Sequence, residues 1–230
     1  MSRKVSLATV LASLLVVSFA ATGCASTIEG EEEEEEVAET EEAYTGRLAE
    51  MVRIGSSYPG APRSWEQPPS EGIFGQNGYC GATAAANLLS WYGKNVSPRN
   101  AIDDGCWSYI GTRPITLARY LQNHHASLGC SLGRMSWNAD ALTGVRNSLR
   151  EGRPLVVVFM TGRLEAHWVT IMGVRGRGYD PKLVVMSWGG FYTVQWSDFR
   201  EAWRAGYSGP YPYIQCTKQS PLASNLRVDG

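Results

Sequence analysis

The chain has 230 residues, 43% of them hydrophobic, with 21 Lys and Arg against 22 Asp and Glu for a formal net charge of −1. That near-neutrality hides an acidic leader and a remainder with an excess of Arg, but the Arg is scattered and no nucleic-acid motif accompanies it, so no nucleic-acid partner is inferred. No ligand cluster and no phosphate loop is visible, so neither a metal nor an organic cofactor is implied.

Residues 1–24 read as an export signal of lipoprotein type. Arg3 and Lys4 form a positive start, Val5 to Ala21 is apolar, and Ala21, Thr22, Gly23 and Cys24 close it with small residues and a cysteine. This ending resembles a bacterial lipobox, which implies a lipid anchor at Cys24. The usual Leu is replaced by Ala21, so secretion without a lipid also fits. At about 17 residues the apolar run is short for a spanning helix, and no later run is long enough. The expected location is the outer face of a bacterial membrane, or the medium.

Residues 25–57 read as an acidic disordered linker. Glu31 to Glu36 is unbroken and acidic residues continue to Glu42. Like charges at this density repel and offer nothing apolar to bury. The segment serves either as a tether or as a plain solvated spacer. Residues 58–219, roughly 160 in number, are long enough for one domain with one core, and 220–230 are expected to be a flexible tail.

Within the domain, Tyr58 to Gly75 is rich in Pro and Gly and reads as a surface strap. Gln76 to Gly93 reads QNGYCGATAAANLLSWYG. Ala82 to Trp91 predicts about three turns of helix with no charge or proline, so this helix is buried nearly all round. Further helices are expected over 100–107, 115–125 and 139–151. The period then changes. PLVVVFM, from Pro154 to Met160, predicts a buried central strand, followed by strands over 166–174, 182–188 and 192–196 and a helix capped by Ser197. Helices first and an antiparallel sheet second predict an α+β domain with a cleft between a helical half and a sheet half.

Two residues stand out chemically. Gly78 and Gly81 bracket Cys80 at the first turn of its helix, where unpaired N–H groups and the helix dipole favour a thiolate. A small buried residue or half of a disulfide is the plainer reading of Cys80. His167 opens the strand AHWVTIMGV in the other half of the domain, whereas His124 and His125 sit in a polar helical end and read as exposed structural residues. A helix-borne cysteine and a strand-borne histidine are what general-base activation of a thiol requires.

GYCGATAAANLLSWYG and AHWVTIMGV together resemble a papain-fold cysteine peptidase, with the cysteine segment most similar to the bacteriocin-processing (double-glycine leader peptidase) branch. Ser187, Trp188 and Gly189 are similar to the Ser-Trp-Gly that follows the catalytic Asn of papain-like enzymes, and Gly173 also fits. The resemblance implies a papain-like α+β fold, Cys80 as nucleophile, His167 as base and then acid, and Gln76 with the Cys80 backbone N–H as oxyanion donors. It also implies that Trp188 shields the catalytic side chains. Two departures stand. The Asn that orients the histidine falls on Met186, so either a Cys-His dyad operates or a third member such as Ser187 or a backbone carbonyl serves. Asp180 resembles the carboxylate of the bacteriocin-processing branch, but it lies in a turn some 20 Å along the strand from His167. The family's Gln commonly lies six residues before the cysteine, whereas Gln76 lies four before, with Asn77 also available.

After export four cysteines remain, Cys80, Cys106, Cys130 and Cys216. The plain expectation is two disulfides. With Cys80 catalytic, Cys106–Cys130 is the expected bridge, closing a short loop and leaving Cys216 free. The leading functional expectation is an exported thiol peptidase or amidase acting on a peptide or protein substrate. The alternative is a catalytically silent papain-fold module that binds peptide or a cell-envelope component. Acyl transfer to an amine would use the same residues as hydrolysis.

Overall fold

The structure, a computed structural model, describes residues 49–69, 78–107, 111–135, 140–160, 166–205 and 211–229. The export signal and the glutamate run lie outside these residues. So do Gln76 and Asn77.

The cysteine-bearing helix, α1 (Cys80–Trp91), is buried at every residue except Ser90. Its alanines carry no side-chain bulk, so neighbouring strands and helices can approach it closely from several sides. A short α2 (Pro98–Ala101) starts at Ser97, whose hydroxyl accepts from the Asn100 N–H. It runs into a wide π-turn over Ile102–Cys106, which breaks at Gly105 with a positive φ. Helices α3 (Pro114–His124), α4 (Asp140–Arg150) and α5 (Trp196–Ala205) fall within a residue or two of the sequence expectation.

The sheet has eight strands: β1 (Val52–Gly55), β2 (Cys130–Met135), β3 (Leu155–Met160), β4 (Ala166–Arg175), β5 (Lys182–Ser187), β6 (Gly190–Gln195), β7 (Tyr211–Cys216) and β8 (Arg227–Val228). Their order is β1-β6-β5-β4-β3-β7-β2, antiparallel throughout, with β8 added in parallel to β4. The centre, β3 to β5, is the apolar run that the sequence marks as buried. Core residues come from both α1 and these strands.

Three expectations are corrected. The linker expected to reach residue 57 is ordered before that point, because Val52–Gly55 pairs with β6 and Ala49 is buried. The flexible tail expected over 220–230 returns to the sheet. The Ser220 hydroxyl donates to the last carbonyl of α1, that of Trp91, and β8 continues the β4 ladder at Gly173 and Val174, past the point where β3 ends at Ile171. The unpaired edge of β4 is what the tail satisfies.

The third correction is the disulfide. Cys130 is bonded to Cys216, and Cys106 is a buried free thiol. Cys130 and Cys216 are directly opposite residues of the antiparallel pair β2 and β7. Strand pairing therefore brings them together despite 86 residues of separation, whereas the short loop favoured Cys106 only as long as the strands were unknown. Burial pushes the Cys106 thiol far above its ordinary pKa, so it stays protonated.

Candidate active site

The head of α1 is positioned by contacts that leave no room for larger residues. Cys80 is 1% exposed. Gly81 follows it, and a Cβ there would lie 2.3 Å from Cβ of Thr112. The Thr112 hydroxyl donates to the Cys106 carbonyl, and the Thr112 carbonyl accepts the indole N–H of Trp168, at 3.0 Å in each case. Trp168 is the second residue after the start of β4, next to His167. The loop bearing Thr112 thus ties the start of the cysteine helix to the start of the histidine strand. One turn on, the Thr170 hydroxyl donates to the Ala84 carbonyl, and at the far end the Trp91 indole N–H reaches the Met186 sulfur.

Tyr79 provides no side-chain cap for α1, and the first turn holds no acidic residue. Tyr79 instead packs edge-on to Trp107, with centroids 5.1 Å apart. Cys80 itself is disulfide-bonded.

His167 lies on the other face of the sheet from the Thr170 and Met186 side chains. It sits opposite Phe159 of β3, which packs on Phe199 of α5. Its Nε2 is 2.6 Å from Oγ of Ser187, and both residues are buried. The Trp188 indole stacks on the imidazole, with centroids 3.9 Å apart and planes 21° from parallel. Burial without a charged partner pushes the His167 pKa down to about 3, so the ring is neutral at pH 7.

The turn that places Trp188 is strained. Trp188 has φ of 44° and is the one positive-φ residue other than glycine among the described residues; Gly189 follows with φ of 68°. Positive φ at both central residues is the arrangement of a type I′ hairpin, which closes β5 onto β6 with two residues. An indole in that region costs of order 1–3 kcal/mol. The strap holds the turn in place, since the Gly189 N–H donates to the Trp65 carbonyl and the Trp65 N–H donates to Oδ1 of the buried Asn87 on α1. The strap expected from Pro and Gly content therefore joins α1 to the Trp188 turn.

No family profile and no curated protein matches the sequence. Among solved structures, the chain resembles that of a Bacillus anthracis protein provisionally assigned as a C39-like peptidase. The likeness covers 74% of this chain and 99% of that one, with a TM-score of 0.52 and 13% identity. The fold is α+β and papain-like.

Within that papain-like fold, the structure brings His167, Ser187 and Trp188 together, whereas the ties from β4 to the cysteine helix and its neighbouring loop come from Trp168 and Thr170, on the sheet face opposite His167. Gln76, the expected oxyanion donor, lies outside the described residues. Met186 does not face the histidine. It is fully buried and accepts the Trp91 indole N–H. Asp180 is also committed elsewhere, since its carboxylate accepts the N–H and hydroxyl of Ser197 at the start of α5. The sequence contained the signal for Ser187 in strand alternation. Met186 lies opposite Thr170, so the next residue points to the face that carries His167. The strained turn at Trp188 had no such signal, because nothing in Ser-Trp-Gly-Gly demands positive φ at a tryptophan. Among the described residues, no group of three or more His, Cys, Asp or Glu could hold a metal, and no helix is long and apolar enough to cross a membrane.

Proposed function

We propose that this chain is a thiol hydrolase of peptide or amide bonds, acting through the Cys80 thiol once exchange with an external dithiol, itself oxidised to a disulfide, has released it. The observation that carries the reading is a buried imidazole held between a hydroxyl and an indole at the start of β4, in a papain-like fold. The proton of the Cys80 thiol passes to the His167 imidazole as sulfur attacks the carbonyl carbon. The tetrahedral oxyanion is held by the Cys80 N–H at the uncapped head of α1 and by Gln76. When the C–N bond breaks, His167 returns the proton to the leaving amine, and a thioester remains. Water then attacks the thioester, with His167 as base, and the carboxylic acid and the thiol are regenerated.

The bacteriocin-processing branch is the finer assignment within this reading. Residues 1–24 would export the protein, with a lipid at Cys24 or free secretion, and the acidic segment would tether the domain.

A second reading is favoured by one specific observation, the disulfide at Cys80. A sulfur held that way cannot attack a carbonyl, and the domain would then be a silent papain-fold module that binds peptide or an envelope component.

The test is alkylation of the purified, signal-free protein by iodoacetamide across pH, with and without prior mild reduction. The modified residue is located by mass spectrometry, and a His167→Ala variant is run alongside. The hydrolase reading expects labelling of reduced Cys80 that is faster than that of an ordinary thiol and is slowed without His167. Labelling no faster than an ordinary thiol, or a disulfide that persists under mild reduction, would establish the binding module instead.

A further inference from the structure

Resting on the hydrolase reading above, we infer that Ser187 is the positioning residue for His167: its hydroxyl oxygen accepts the Nε2–H, which fixes the ring in one orientation and one tautomer.

A neutral imidazole carries one proton, and a general base must carry it on the nitrogen that does not face the nucleophile. Some group has to hold that proton. The carboxamide position expected from papain-like enzymes is occupied by Met186, whose sulfur is turned to the Trp91 indole on the opposite face. The nearest carboxylate in the neighbouring loop, Asp180, caps α5. Ser187 Oγ alone of these three positions lies against Nε2, at 2.6 Å, with the hydroxyl 2% exposed by residue and so shielded from competing water.

The surroundings restrict the ring further. Phe159 stands across the ladder, edge-on to the imidazole, and Trp188 covers its face. The hydroxyl and the covering indole come from consecutive residues, so the strained turn at Trp188 and Gly189 sets both at once. Its anchor, the Trp65 carbonyl, belongs to the strap that also bonds Asn87 of α1. Strain retained at a bulky residue, and supported from outside the hairpin, is what a site needing a fixed imidazole would keep. The charged residues of the elements packed here are Lys182 at the far end of β5 and Asp198, Arg200, Glu201 and Arg204 of α5, with Asp180 committed to Ser197, and burial rather than any of these charges is the cause of the His167 shift. A neutral hydroxyl orients the ring without adding charge, so it fixes the tautomer and leaves the imidazole neutral.

The experiment is nitrogen-15 NMR of the histidine side chains in the full folded domain, with His167→Gln to assign the resonance, and with Ser187→Ala and Ser187→Thr as the two variants. Wild-type protein is expected to show a single Nε2–H tautomer at pH 7. Ser187→Ala should give mixed tautomers, and Ser187→Thr, which keeps the hydroxyl, should restore the single one. In parallel, alkylation of reduced Cys80 should slow about tenfold in Ser187→Ala, the worth of one neutral hydrogen bond, and recover in Ser187→Thr. A wild-type Nδ1–H tautomer, or an unchanged tautomer in folded Ser187→Ala, would overturn the inference. If Cys80 is unreactive in every protein while the tautomer still follows the hydroxyl, the hydrolase reading fails and the positioning of His167 by Ser187 stands.

Discussion

The two faces of β4 and β5 are built from alternate residues of the same strands, yet they do opposite jobs. On one face, Trp168, Thr170 and Met186 spend their polar atoms on α1 and the loop before α3, fastening the cysteine helix to the sheet. On the other, His167 and Ser187 spend theirs on each other under the Trp188 indole. A period of two lets neighbouring positions belong to different machines. Met186 and Ser187 are adjacent in sequence, but the first is framework and the second is site.

The largest expected effect comes from breaking the site face while leaving the framework alone. His167→Ala should slow alkylation of reduced Cys80 by about 10²- to 10⁴-fold, the range for loss of a positioned base, a larger effect on reactivity than its cost in stability explains while the protein remains folded. A large fall in stability with reactivity intact would reverse the roles given to the two faces.

Breaking the framework face should do the converse. Met186→Ala removes a fully buried side chain and leaves the Trp91 indole N–H unpartnered, and should cost about 2–5 kcal/mol in urea unfolding. The His167 tautomer in the folded fraction should remain that of the wild type. A tautomer change would show that the faces are coupled.

Acid should distinguish the faces as well. The His167 pKa is lowered to about 3 in the folded chain, against an ordinary value near 6.5 when unfolded. Above pH 6.5 both forms are neutral and the residue adds no pH dependence. As pH falls from about 6.5 towards 3, the unfolded chain takes a proton that the folded chain refuses, so stability is lost. Equilibrium unfolding of wild type and His167→Gln over this range should show a shallower decline in the variant, whereas Met186→Ala should keep the wild-type slope. Ser187→Asp should raise the His167 pKa, because a carboxylate favours the imidazolium; NMR titration reads this directly.

The smallest effect is expected at the turn. Trp188→Gly relieves the positive φ but loses the stacking contact, and these offset to within about 1 kcal/mol of stability. Its signature is local: the uncovered imidazole should titrate closer to an ordinary histidine. An unchanged titration would show that the indole does not shield the ring.

Much of the framework was legible because its residues are uniform. The alanine-rich run of α1 and the β-branched run of β3 leave few alternatives to burial, and both lie where the pattern predicts. Four strands were not legible. β1 and β8 are too short to show a period, at four and two residues. β2 contains Gly133, which weakens a strand pattern, and β7 contains Pro212, which reads against a strand. Pro212 is tolerated because the β3–β7 pairing covers only Tyr213 to Gln215, so the missing N–H is not needed on that side.

The sequence by itself determined the α+β order, the core helix headed by Cys80, the buried central strands and the strand that begins with His167, because each depends on composition and period within one segment. Tertiary structure decided what depends on two segments meeting. The Cys130–Cys216 pairing follows from the register of β2 against β7, and the tail is ordered by the exposed ladder of β4. The partner of His167 was decided in the same way. Alternation could say that Met186 and Ser187 face apart, but only the packing of α1 on one side of the sheet and α5 on the other says which face belongs to the histidine.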